Sequence, residues 1–169
     1  MDTIIRGRLF AKSWNYLIAG TALALVCSWS IQAQTANNPA LGTWKLNLAK
    51  SKFDPGPAPK SQTRIYEATA EGTKVTIRTV TAAGAVVVSG STTKPDGKSY
   101  PYFGNSNWDA IIPTTVSELE SRSELLRSGK VIGHFSRVLS TDHKTMTVHH
   151  TFTTRPGVME SDTEIYQRQ

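Results

Sequence analysis

The residues best suited to chemistry are two arginines, a tyrosine and a histidine in segments of alternating polarity. Arg64 and Tyr66 lie two positions apart in "SQTRIYEATA", while Arg137 and His150 lie in "KVIGHFSRVLS" and "TMTVHHTFTT". Because successive side chains of a strand point to opposite faces, Arg64 and Tyr66 share one face. Two guanidinium groups beside a phenol can bind a carboxylate or another organic anion.

Hairpin turns predict which residues share the inner face with these side chains. A turn at 141–144 gives four inward pairs: Leu139 with Met146, Arg137 with Val148, Phe135 with His150, and Gly133 with Phe152. A turn at Glu71-Gly72 pairs Ala68 with Val75, Tyr66 with Ile77 and Arg64 with Thr79, and the following hairpin sets Ile77 opposite Val88 and Val75 opposite Gly90.

The last segment decides whether the inner face contains an acid. A Pro156-Gly157 turn sends Met159, Ser161, Thr163 and Ile165 inward and directs Glu160, Asp162 and Glu164 outward. The predicted interior then has two arginines and no carboxylate. Since an unpaired buried arginine is costly, this pattern favours a bound amphipathic anion. In the alternative, the arginines lie at a barrel mouth and reach water.

Eight segments of alternating, β-branched sequence must position these side chains. They are Leu41–Leu48, Ser61–Ala70, Thr73–Val80, Ala85–Thr93, Thr115–Arg127, Lys130–Ser140, Thr145–Thr154 and Val158–Gln167. Short Gly- or Asp-containing turns separate most of them, which predicts an all-β fold, an antiparallel up-and-down eight-stranded β-barrel. Residues 117–127 also have a helical pattern with a capping box, Ser117 with Glu120. We predict a strand there, because the neighbouring strands need a partner.

The long connection 94–113 contains the most aromatic stretch, "YPYFGNSNWDAI". Long loops at barrel rims often carry function, so Tyr102, Phe103 and Trp108 can form a gate, with Asp109 as a carboxylate for Arg64 or Arg137. The same loop can instead plug one end of the barrel as a hydrophobic cork.

The beginning of the 169-residue chain has the pattern of a targeting segment. Arg6, Arg8 and Lys12 precede an apolar run at 16–30, and the small residue Ala33 follows it. This pattern predicts a secretory signal at 1–33, a polar lead at 34–40 and one barrel domain at 41–169, in a secreted or periplasmic protein. An uncleaved anchor and a lipid on Cys27 are the alternatives.

Composition excludes several classes of function. Removing the signal lowers the net charge from +6 to +4, leaves no Lys/Arg cluster, and argues against a nucleic-acid partner. Cys27 is the only cysteine, so the predicted domain has no disulfide. We expect a monomer with no membrane span once the signal is cleaved.

Motifs for known cofactors and catalytic machinery are absent from the sequence. It contains no Gly-x-Ser-x-Gly elbow and no phosphate loop. His149 and His150 are adjacent and face opposite sides of a strand, so they cannot bind one metal together. We therefore predict no metal, no cofactor and no catalytic residue.

Two short motifs carry a resemblance to a known group of barrels. Gly42-Thr43-Trp44 lies on the first strand, and "STDHKT" has His143 where a related motif has tyrosine. With the meander and the signal, the chain resembles the calycin superfamily, in particular small secreted bacterial lipocalin-like proteins. The resemblance implies a barrel that binds a small hydrophobic molecule, with Gly42 and Trp44 as structural residues. The arginine that packs on the lipocalin tryptophan has no clear match, although Arg168 is near.

The interior arginines and tyrosine also look like the carboxylate site of fatty-acid-binding proteins. The two-helix lid of those proteins is replaced here by "KFDPGPAPK", whose prolines disfavour helices.

Three functional hypotheses follow. The first is a barrel that binds a small hydrophobic or amphipathic ligand, such as a fatty acid or similar anion. The predicted ligand-binding residues are Arg64, Tyr66, Val88, Tyr102, Trp108, Phe135, Arg137 and His150. The second is a structural or interaction barrel filled by its own side chains. The third is a small isomerase or cyclase, with His150 or Asp109 as proton carrier. The missing catalytic motifs favour a non-enzymatic role.

Overall fold

Alternating side chains build a single antiparallel sheet in the computed structural model, which describes residues 38–169. Its strands are β1 (Gly42–Leu46), β2 (Ser61–Thr69), β3 (Gly72–Val80), β4 (Val86–Thr93), β5 (Tyr100–Pro101), β6 (Ala110–Thr115), β7 (Glu120–Arg127), β8 (Lys130–Leu139), β9 (Thr145–Thr153) and β10 (Met159–Arg168). One 3-10 turn, Leu48–Lys50, follows β1. The predicted signal at 1–33 and most of the polar lead lie outside the described residues.

Strands that follow one another in the chain pair with each other except for β4 and β5, and β1 pairs with β10. The remaining gap, between β4 and β5, is bridged by two backbone hydrogen bonds between Gly90 and Phe103, with N–O distances of 3.1 and 3.0 Å. The fold is therefore an all-β, antiparallel, up-and-down and nearly closed barrel. Near closure leaves almost no strand edge unpaired.

The predicted count of eight strands is wrong, because the barrel has ten. The two additional strands, β5 and β6, come from the predicted connection 94–113. Their pattern is weak: β5 has two residues and includes Pro101, and β6 includes Pro113. Proline lowers the strand signal because it cannot donate to the ladder.

Two strand boundaries also differ from the prediction. β1 ends at Leu46 because Asn47 caps the 3-10 turn, so Leu48, the last residue of the predicted strand, lies outside β1 and is 39% exposed. The ambiguous segment 117–127 is a strand from Glu120 onward. The Ser117 Oγ accepts hydrogen bonds from the amides of Leu119 and Glu120, so the predicted helix cap closes a turn instead.

The hairpin registers are predicted with unequal success. The four pairs predicted between β8 and β9 are confirmed. In β2–β3 the pairs shift by two residues, so that Tyr66 faces Val75 and Arg64 faces Ile77, and the inward faces stay as predicted. In β3–β4 the predicted register is wrong by one residue: Ile77 faces Ser89, and Val88 lies on the outer surface, 46% exposed.

The predicted register of the last hairpin, β9–β10, is also wrong by one residue. Its turn spans 154–158, where Thr154 accepts a hydrogen bond from the Val158 amide at its Oγ1 and donates to the Val158 carbonyl. Met159 is consequently outward and 59% exposed. Because a one-residue slip exchanges the two faces of a strand, Glu160, Asp162 and Glu164 lie inside, where no acid was predicted.

Trp44 is fully buried at the base of the barrel, in a cluster with Leu46, Tyr166 and five other residues. Its Nε1 donates to the Ala40 carbonyl at 2.8 Å, and the Arg168 guanidinium lies 4.2 Å from its ring centroid.

Arg168 also donates to the carbonyls of Leu41, Pro39 and His143. Arg168 thus joins the start of β1, the end of β10 and the turn before β9.

We expect Arg168→Ala to lower the free energy of unfolding by about 2–4 kcal/mol, because it removes charged hydrogen bonds and a cation–π contact. Urea denaturation measures the effect. Gln167→Ala, an exposed position on the same strand, is the matched control and should stay within about 0.5 kcal/mol of wild type. Equal stability of the two variants would contradict this role for Arg168.

Candidate ligand-binding cavity

The barrel encloses a cavity of about 670 Å³. Seven of the eight predicted ligand-binding residues line it: Arg64, Tyr66, Tyr102, Trp108, Phe135, Arg137 and His150. Val88 does not, because the register of β4 turns its neighbours Val87 and Ser89 toward the cavity instead.

Strand register arranges the inner faces of β8, β9 and β10 in rows. From the base upward the rows are Leu139, Met146 and Tyr166; Arg137, Val148 and Glu164; Phe135, His150 and Asp162; and Gly133, Phe152 and Glu160. The lowest row is apolar apart from the tyrosine hydroxyl. Every row above it carries at least one ionisable side chain.

Arg64 and Glu164 form an ion pair inside the barrel. Arg64 Nη2 lies 2.8 Å from Glu164 Oε2, and the two side chains are only 6% and 3% exposed. The Tyr166 hydroxyl donates to the same carboxylate oxygen at 2.6 Å and also contacts Gln62 Oε1. Burial raises the pKa of Tyr166 well above its usual value, so this hydroxyl keeps its proton and remains a donor.

Arg137 lies on the cavity wall and has no acidic partner in the part of the chain that the structure describes. Its guanidinium carbon lies 5.2 Å from the centroid of the Tyr66 ring. None of the ion pairs within residues 38–169 includes Arg137, whereas Arg64 is neutralised by Glu164. Of the arginines that line the cavity, Arg137 is therefore the one that has no acidic partner among the described residues and can pair with an anion.

Three buried N–H groups around the cavity have no hydrogen-bond partner within residues 38–169. They are Arg64 Nε, Arg137 Nε and Trp108 Nε1. Guanidinium and indole nitrogens only donate hydrogen bonds, and an unsatisfied buried donor costs about 1–3 kcal/mol.

His150 and Asp162 form a second pair on the wall. His150 Nε2 lies 3.0 Å from Asp162 Oδ2, while the Asp54 amide donates to Asp162 Oδ1 at 3.0 Å. One row above, burial and the nearby charge of Asp162 raise the pKa of Glu160. This pairing gives the wall a titratable group that is held in one orientation.

The aromatic segment contributes to the wall beside the cavity. Trp108 packs edge-on against Phe152, with ring centroids 5.0 Å apart, and Tyr102 lies 5.6 Å from Trp108. The Asp109 carboxylate does not reach either arginine, because it accepts hydrogen bonds from the Ser128 amide. The gate and the cork both remain hypotheses, but the segment leaves the cavity open beside it.

Sequence reasoning missed the acids that face the cavity. Glu160, Asp162 and Glu164 alternate in "ESDTE", which is the spacing of one strand face. The alternation of the acids is visible in the sequence, but it does not show whether they face inward or outward. That depends on the length of the turn before β10, which the Thr154 side chain closes.

Neither a metal site nor a membrane-spanning helix is found in the described part of the chain. No group of three or more His, Asp or Glu residues there is arranged to hold a metal ion. No helix within residues 38–169 is long and apolar enough to cross a membrane. No protein-family model matches the chain, and a search of curated proteins gives no significant match.

We expect Glu164→Gln to lower the free energy of unfolding by about 3 kcal/mol, because it leaves the buried Arg64 cation without a counter-charge. Chemical denaturation at pH 7 measures the effect. A change below about 0.5 kcal/mol would show that the pair does not stabilise the fold.

Glu160→Gln is the matched control on the same strand, and we expect it to change the stability of the fold in the opposite direction. The folded protein holds the Glu160 proton more tightly than the unfolded chain, so ionisation of Glu160 lowers stability as pH rises through the ordinary glutamate range toward the raised pKa. The variant should unfold at a slightly higher temperature than wild type at pH 7 and at the same temperature at pH 3. A lower unfolding temperature at pH 7 would contradict the raised pKa.

Proposed function

We propose that this barrel binds a small amphipathic organic anion, such as a fatty acid, inside its cavity. The observation that carries the proposal is Arg137, a guanidinium on the wall of a 670 Å³ cavity with no acidic partner in residues 38–169. Small-molecule pockets usually measure about 300–1,000 Å³, and the volume of this cavity falls in that range.

The proposed ligand has its acid group at Arg137 and its apolar body along the wall. Val75, Ile77, Ile111 and Leu125 supply apolar surface for that body. Glu164 is neutralised by Arg64, and both carboxylate oxygens of Asp162 are engaged, one by the Asp54 amide and one by His150. Glu160 lies two rows above Arg137, so the acid group is expected away from it.

The second hypothesis, a structural barrel filled by its own side chains, has less support. A barrel filled by its own side chains would bring Trp44, Phe135, Phe152 and Trp108 together at its centre. Trp44 belongs to the base cluster, whereas Trp108 and Phe152 belong to a separate one, and Phe135 packs against both. Space for a ligand remains between these groups and the other walls.

The resemblance to lipocalin-like proteins is part of the same proposal. The contact of Arg168 with Trp44 supports it, since that resemblance implies an arginine on the tryptophan. A secreted or periplasmic location and a monomeric state remain predictions.

We expect Arg137→Gln to weaken binding of the fluorescent fatty acid cis-parinaric acid about 10- to 100-fold, because a charged hydrogen bond contributes about 1.5–3 kcal/mol. Fluorescence titration measures the dissociation constant. The methyl ester of the same probe, which lacks the negative charge, should bind wild type and variant with equal affinity.

Arg122→Gln is the matched control, because Arg122 is exposed and paired with Glu120. It should bind the acid as wild type does. If the acid bound Arg137→Gln as tightly as wild type, or if wild type did not distinguish the acid from its ester, the proposal would fail.

A further inference from the structure

We propose that His150, oriented by Asp162, transfers protons to and from a molecule bound in the cavity, so that the barrel catalyses an isomerisation. This inference goes beyond ligand binding. It uses the same cavity but does not depend on the contact between Arg137 and an acid group.

The first support is the way Asp162 is held. One carboxylate oxygen accepts a hydrogen bond from the Asp54 amide and the other pairs with His150 Nε2, each at 3.0 Å. With both oxygens engaged, the carboxylate is fixed relative to the ring. A carboxylate only accepts hydrogen bonds, so the neutral imidazole carries its hydrogen on Nε2 and leaves a lone pair on Nδ1.

The second support is the free nitrogen. His150 Nδ1 has no hydrogen-bond partner within residues 38–169, and it is not among the buried atoms that lack one. Since His150 lines the cavity, Nδ1 is accessible from that side. The edges of Trp108 and Phe152, with centroids 6.5 and 5.6 Å from the imidazole, hold the ring in an apolar setting. A histidine whose ring is held in place and whose free nitrogen can accept a proton is suited to act as a general base.

The substrate class follows from the proton transfer that a single oriented base can carry out. It is an unsaturated carbonyl compound with an acidic C–H bond beside the carbonyl group. Nδ1 takes that proton, the C–H electron pair moves into the conjugated system, and negative charge develops on the carbonyl oxygen. His150 then returns the proton to a different carbon, which moves the double bond.

No oxidant or second reactant is needed for this reaction.

Proton abstraction can be tested with 5-nitrobenzisoxazole, an uncharged probe. A base removes its ring C–H proton, the N–O bond breaks, and a coloured cyanophenolate forms. We expect wild type to react about 100-fold faster than His150→Gln, which is the usual contribution of a positioned base. His149→Gln is the matched control, because His149 is the neighbouring imidazole on the outer face. It should react at the wild-type rate.

A second variant and a spectroscopic measurement keep the test decisive. His150→Phe can pack against the same aromatic edges, so it separates loss of the base from loss of folding. Asp162 is a positioning residue: long-range ¹H–¹⁵N spectra should show the neutral His150 hydrogen on Nε2 in wild type and a redistribution to Nδ1 in Asp162→Asn.

Wild-type rates in both His150 variants, or the hydrogen on Nδ1 in wild type, would overturn the inference. The probe has no acid group, so its reaction and the binding of cis-parinaric acid succeed or fail separately.

Discussion

The ion pair between Arg64 and Glu164 lies inside a barrel whose cavity wall has both apolar and polar side chains. Burial of two charges costs several kcal/mol per ion unless geometry and hydrogen bonds compensate. Here the compensation comes from a 2.8 Å contact, from the Tyr166 hydroxyl, and from the Tyr166 and Phe135 rings beside the guanidinium. The pair links β2 to β10, the two strands on either side of β1.

This one contact constrains the chemistry of the cavity. With Glu164 inward, strand alternation brings Asp162 and Glu160 inward as well. Asp162 then meets His150, which β9 directs to the same face. Arg137 lies two strands from Glu164 in the same row and is left without a carboxylate. Among the described residues, the interior therefore holds the Arg64–Glu164 ion pair, the hydrogen-bonded pair of His150 and Asp162, and Arg137, a cation with no carboxylate partner.

Sequence reasoning succeeded where local rules determine the result. The turn at 141–144 sets the β8–β9 register, and Arg64 and Tyr66 kept their face because the shift of β3 was an even number of residues. The predicted strand faces were wrong where the alternation of polar and apolar residues is ambiguous, or where the sequence does not show the length of a turn. Three consecutive valines at 86–88 do not mark a face, and the turn at 154–158 is closed by the Thr154 side chain. The partner of Arg64 lies 100 residues away in the chain, and no local pattern reveals it.

The central claim, that the cavity binds an acidic amphipathic molecule through Arg137, is tested most directly on protein purified from the cells that produce it. Native mass spectrometry would compare wild type with Arg137→Ala. The account predicts that wild type retains a bound organic acid, released and identified after denaturation, and that the variant carries little or none. Wild type without any bound molecule that also fails to take up a panel of fatty acids would contradict the account.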